Sequence, residues 1–185
     1  MPDWEEAEEP RYLREAQAGN VDSFSEIYTR YAEGIFRFLF LHLDNQLDAE
    51  DLTGEVFYRA WKALPDYQHK GIPFAAFLYR IARNALTDFY RKSRHTKNNL
   101  SLDEVDERQG FASDSIGRFQ EKVDRRELVT LLSSLKAEYR MVISLRFFSG
   151  LSPDETARVM QRSVGAVRVL QFRALAALRA KLDQE

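Results

Sequence analysis

Residues 152–182 read "SPDETARVMQRSVGAVRVLQFRALAALRAKL", and this stretch decides how the rest is understood. Ser152 is a good helix N-cap. Pro153 takes the first helical position, where a missing amide costs nothing, and Glu155 stands three residues past the cap, the spacing of a capping box. The helix so begun is short. A tight break at "QRS" follows, and Ser163 can cap a second helix running to about Lys181. A short helix, a turn of about three residues and a longer helix make a helix-turn-helix pattern. In the longer helix Val167, Ala174, Leu175 and Leu178 are expected to pack inward, leaving Arg168, Arg173, Arg179 and Lys181 to water or phosphate. A recognition helix meets a major groove with its N-terminal residues. Those are Ser163, Val164, Gly165, Ala166 and Arg168 here, small residues allowing close approach and one guanidinium able to reach a guanine edge. A basic helix bathed in solvent is the bland alternative, and the capped short helix in front of it argues against that.

Charge is segregated along the chain. Formal net charge over the 185 residues is -2, yet residues 158–182 carry five arginines, one lysine and no acid. The first ten residues carry five acids and no base, and residues 74–97 hold six lysines and arginines against Asp88 alone. Two basic segments on a near-neutral chain suggest two contacts with one polyanion. Hydrophobic content of 44% and charged content of 30% suit a globular protein, and the chain has no cysteine for a disulfide framework or a thiolate metal site. The acidic N-terminus does not resemble a signal peptide, and no apolar run nears the roughly 20 residues needed to span a bilayer. A cytoplasmic setting is expected.

Upstream the periodicity is helical. "FSEIYTRYAEGIFRFLFLHL", "QLDAEDLTGEVFYRAWKAL" and "FAAFLYRIARNALTDFYRK" each repeat apolar residues at three- and four-residue spacing. A loop containing Pro65, Gly71 and Pro73 separates the second from the third. These helices form a first domain within residues 1–92. Residues 93–120 are polar and mixed in charge and read as a linker. Helices resume in "VDRRELVTLLSSL" and in "AEYRMVISLRFFSG", which stops at Gly150, so a second domain covers residues 121–185. The fold class expected is all-α: two small helical domains on a flexible linker, the second containing the helix-turn-helix.

Two further surfaces stand out. Arg80, Arg83 or Asn84, Thr87 and Arg91 lie three or four apart, opposite the apolar face of the third helix. Basic residues interleaved with aromatics can track a backbone and stack exposed bases, with Tyr67, Tyr79 and Tyr90 as candidates. Asp48, Asp51 and Glu55 share one face of the second helix around Leu52, Val56 and Phe57, an acid rim on an apolar centre as partner interfaces are built. His42, His69 and His95 are scattered, so no metal site and no cofactor are expected. No phosphate-cradling loop or nucleophile motif points to catalysis.

These segments resemble a known family. "DAEDLTGEVFYRAWKAL" is similar to the core-polymerase-binding helix of the bacterial sigma-70 family, in its small extracytoplasmic-function group, and "FAAFLYRIARNALTDFYRK" to that family's promoter-melting helix. The C-terminal helix-turn-helix resembles its second DNA-binding domain. The resemblance implies a non-enzymatic subunit that gives core RNA polymerase its promoter specificity. It places Asp48, Glu50, Asp51, Leu52, Glu55, Val56 and Phe57 on the polymerase contact. It places Tyr67, His69, Lys70, Tyr79, Arg80, Arg83, Asn84, Thr87 and Arg91 on the opened minus-ten element. Ser163 to Arg173, Gln171 included, fall on the duplex minus-thirty-five element. It also implies a linker threaded into the polymerase channel and, in many members, an inhibitory anti-sigma partner. The chain departs from the family wording at Gln161, where glycine is frequent. It departs again at Leu170 and Gln171, where arginine and a packing leucine are frequent, and at Ala76, where tryptophan is frequent. A helix-turn-helix repressor or activator working without polymerase is the alternative.

Overall fold

The structure is a computed structural model and describes residues 9–68, 73–99 and 125–183. Among them all regular structure is helical: α1 (Glu9–Gln17), α2 (Val21–Leu43), α3 (Gln46–Ala63), α4 (Phe74–Asn99), α5 (Arg125–Ser133), α6 (Ala137–Ile143), α7 (Pro153–Met160) and α8 (Val164–Leu182). A 3-10 turn, Leu64–Asp66, follows α3, and a π-helical turn, Ser144–Phe148, continues α6. The all-α expectation is met.

The chain writes its own helix boundaries. Asn20 caps α2 by accepting from Ser23 N, and Asn45 caps α3 by accepting from Asp48 N, each satisfying an amide that the first turn leaves open. Asp44 between them is left-handed, φ 53, which turns the chain sharply enough to lay α3 against α2. The third segment was expected to end near residue 92. It runs to Asn99, and residues 93–99 contain neither Gly nor Pro to stop it. α1 was not expected. Its apolar Leu13 and Ala16 are buried, and Gln17 donates to the carbonyls of Leu64 (3.1 Å) and Tyr67 (2.7 Å), fixing the chain that leaves α3.

The first four helices enclose Ile27, Ile35, Phe38, Leu39, Val56, Leu64, Phe74 and Leu78, all fully buried. Each large apolar side chain contributes on the order of 2 kcal/mol by leaving water. An aromatic seam ties these helices together: Tyr28 against Phe57 at 4.7 Å, Phe24 against Trp61 at 4.8 Å, Tyr31 against Phe74 at 5.7 Å and Tyr67 against Phe77 at 4.8 Å. A second group of helices closes over Leu132, Val142, Leu145, Val159, Val167 and Ala174. There the Ser149 N–H donates to the Ser144 carbonyl (2.9 Å) to close the π-turn, and Gly150 at φ 70 makes the corner into α7.

The two groups pack on each other. His42, near the end of α2, places Nε2 3.0 Å from Ser144 Oγ. Tyr90 donates its hydroxyl to the His42 carbonyl at 2.5 Å, and Arg140 reaches the same carbonyl at 3.4 Å while capping the end of α5 through Leu132 O and Ser133 O. α4 lies against α7, where Arg83 donates to the Val159 carbonyl at 3.1 Å. Burial, then the Arg140 charge, push the His42 pKa down to about 3, so this joint holds a neutral imidazole.

Candidate polymerase and promoter surfaces

α3 brings Asp48, Asp51, Leu52 and Glu55 to an open groove completed by Ala85, Asp88, Phe89 and Lys92 of α4. Asp51 is exposed, and Asp48, Glu50, Leu52 and Glu55 are half-buried. Val56 and Phe57, expected with Leu52 at the apolar centre of that face and assigned to the contact by resemblance as well, are instead buried at 0% and 3% exposure and serve the core beneath the rim. Their spacing explains it, since they follow Glu55 by one and two residues and so point round the helix toward α2. Among the described residues no three acids or histidines gather to hold a metal.

Arg59 lines the same groove. Its Nε meets Glu55 at 2.7 Å and its Nη1 meets Asp88 of α4 at 3.0 Å, while Arg91 holds the other Asp88 oxygen at 3.1 Å. Hydrogen bonds to Glu55 and then Asp88 keep this guanidinium firmly charged. One side chain thus joins the acid face of α3 to α4. Sequence reading missed Arg59; a lone base one turn after Glu55 was the available signal.

On α4, Arg80, Asn84, Thr87 and Arg91 form the exposed stripe that their spacing predicts. Arg83 is half-buried and turned to α7. Tyr79 is 5% exposed and packs edge-on against Phe38 at 5.5 Å, its hydroxyl beside Gly34, where a Cβ would lie only 2.9 Å away. Tyr67 is half-buried against Phe74 and Phe77, with its pKa pushed up to about 12 by burial and by Glu9. Tyr90 is 40% exposed. His69 and Lys70 lie outside the described residues, as does most of the expected linker.

The helix-turn-helix is built as its sequence implies. Ser152 accepts from Glu155 N (3.2 Å) and the Glu155 carboxylate accepts from Ser152 N (2.7 Å), closing the capping box. Gln161 takes the left-handed conformation, φ 55, at the end of α7. Ser163 accepts from Ala166 N at 3.2 Å and starts α8. Val167, Leu170 and Ala174 are buried, and Arg168, Arg173 and Arg179 are exposed. Leu175, expected inside, is 40% exposed. The two departures from the family wording each find a place. Leu170 takes a core position in α8, and Gln171, about 100° round the helix, accepts from Arg146 Nε at 3.0 Å. Arg146 also donates to the Leu151 carbonyl, so it ties the π-turn to α8 and the Gln171 amide is engaged within the protein.

Fold and surfaces define a two-part helical protein with a helix-turn-helix, an acid-rimmed groove and two basic stripes. The family model described as Sigma-70 region 2 matches residues 27–96, and that described as Sigma-70, region 4 matches residues 125–178. The ECF RNA polymerase sigma factor BldN of Streptomyces coelicolor is 33% identical across 94% of this chain, which spans 65% of that protein's length. SigD of Mycobacterium tuberculosis, also called an ECF RNA polymerase sigma factor, is 31% identical across 92% of this chain and 82% of its own. The solved structure of CnrH in complex with the cytosolic domain of CnrY superposes with a TM-score of 0.66 at 28% identity, covering 94% of this chain and 96% of that one. The chain belongs to the ECF group of RNA polymerase sigma factors, within the sigma-70 family.

Proposed function

We propose that this chain gives bacterial core RNA polymerase its promoter choice, working in the cytoplasm and without chemistry of its own. The acid rim of α3 receives a basic surface of polymerase at Asp51 and Glu55, with Leu52 as the apolar centre. The α4 stripe of Arg80, Asn84, Thr87 and Arg91 tracks the opened minus-ten strand, where phosphate contacts position and stacked or extruded bases are read. α8 enters the major groove of the minus-thirty-five duplex, with Arg168 and Arg173 toward bases and phosphates. Two weak contacts become one strong one when polymerase fixes their spacing, which accounts for a DNA-binding chain of net charge -2.

One observation carries this reading: an acid partner face and a basic strand-tracking stripe are joined through Arg59, on a chain that also holds a capped helix-turn-helix. Run-off transcription with purified core polymerase on a pool of promoters tests it. The chain should confer initiation at a small set of sites. The pair Asp51→Lys and Glu55→Lys should remove polymerase co-elution while lowering the unfolding midpoint of the free chain only modestly, since partly exposed ion pairs contribute about 0–1 kcal/mol and Asp88 still holds Arg59. Promoter binding that persists without polymerase would make it a free-standing regulator instead.

A further inference from the structure

α8 carries something its charge does not explain. Phe172 is 75% exposed, the most exposed large apolar side chain among the described residues, and Val169 is 52% exposed. At about 100° per residue, Gly165, Arg168, Val169, Phe172, Ala176 and Arg179 fall on one outward stripe, opposite the buried Val167, Leu170 and Ala174. Val169 and Phe172 lie at the centre of that stripe in the N-terminal half of the helix. Arg168 and Arg173 flank them, and Gly165 leaves the approach open. A solvated helix has no use for two large apolar groups there. The positive charge that flanks them points to a partner that is itself strongly negative. A polyanion with apolar groups at its floor fits both features.

Duplex DNA is that ligand. The major groove displays hydrogen-bonding groups at every base pair, and one further kind of group: the C5 methyl of thymine. We propose that Val169 and Phe172 read thymine methyls on neighbouring base pairs of the minus-thirty-five element, and so set this protein's promoter preference at those positions. Residues three apart on a helix are separated by roughly 4.5 Å along its axis, close to the roughly 3.4 Å between stacked bases, so the pair addresses successive steps. The arginines hold the backbone and any guanine edge beside them. Gln171 has its Oε1 held by Arg146 and lies off the outward stripe. This inference rests on the sigma-factor reading and goes further by naming the chemical group recognised.

Reconstituted holoenzyme and a promoter library randomised over the minus-thirty-five region provide the test. Thymine, on either strand, should be selected at two neighbouring base pairs. Deoxyuridine in place of each selected thymine removes only the methyl. It should weaken promoter-complex formation by wild-type holoenzyme about fourfold per position, the effect of one methylene-sized group failing to leave water. Phe172→Ala should abolish the response at one position and Val169→Ala at its neighbour. Both residues are largely exposed, so the core is untouched and unchanged unfolding temperatures should confirm it. Selection without thymine, wild-type indifference to deoxyuridine, or alanine variants that remain methyl-sensitive would overturn the inference and leave the sigma-factor reading standing. A holoenzyme that selects no sequence at all would overturn both.

Discussion

Gln161 closes α7 in a left-handed conformation that glycine adopts freely and a side-chain-bearing residue adopts at a cost. Gln161→Gly should therefore stabilise the chain by about 0.5–1 kcal/mol, read as a higher urea midpoint at unchanged slope. His42 makes a pH prediction. Its folded pKa lies below its unfolded value, at about 3 against 6.5, so the unfolded chain binds the extra proton. Stability is then full above pH 6.5 and is lost as pH falls from there toward 3, by up to about 1.4 kcal/mol per pH unit. Urea titrations at pH 7 and pH 5.5, above the usual carboxylate range, should show the loss, and His42→Gln should flatten it. Neither effect was legible from single letters. The sequence shows a glutamine where glycine is frequent in the family, but only the backbone angle shows what that residue costs. The sequence also shows three histidines, but only packing shows which one is sealed against Ser144.

At the scale of the element, the capping box of α7 was legible because its signal is local: serine, proline and glutamate at fixed offsets in one turn. Ser152→Ala should cost about 1 kcal/mol by calorimetric or urea unfolding, with Glu155→Gln costing less because an amide can still accept from the Ser152 N–H. The helical periodicity of α2, α3 and α4 was legible for a similar reason, since a wide apolar face repeats over many turns. What escaped were features decided by neighbours distant in sequence. α1 has too few apolar residues to announce itself and is fixed by Gln17 reaching Leu64 and Tyr67. The π-turn after α6 has no composition signature. Tyr79 read as a surface stacking group because α4 alternates aromatics with arginines, and Phe38 and Gly34 on α2 instead take it into the core. Of the recognition helix, the charged residues could be read by spacing, but the outward apolar pair could not. Leu170 and Gln171 leave the rotation of α8 undecided until Arg146 is seen to claim the glutamine.

For the whole molecule, the closed packing of the two helical groups sets a geometric condition. Elements named for positions ten and thirty-five lie about 25 base pairs apart, on the order of 85 Å along a duplex at roughly 3.4 Å per base. Two faces joined through His42–Ser144 and Arg83–Val159 cannot reach across that span, so the groups must separate when both elements are bound. The chain has no cysteine, so two can be introduced cleanly. Fluorophores at Tyr58→Cys on α3 and Ala180→Cys on α8, both exposed positions, should transfer energy efficiently in the free chain and lose that transfer in the promoter-bound holoenzyme. Unchanged transfer would mean the packed form itself engages the promoter. Arg140→Ala removes the contact to the His42 carbonyl across the joint, together with the cap of α5, and should lower transfer in the free chain.

The guanidinium between α3 and α4 has a practical corollary. Because Arg59 is shared between Glu55 and Asp88, one side chain couples the two helices. A chimera that grafts onto the native α4 an α3 without this arginine would leave Asp88 to Arg91 alone, unless position 59 is restored to arginine.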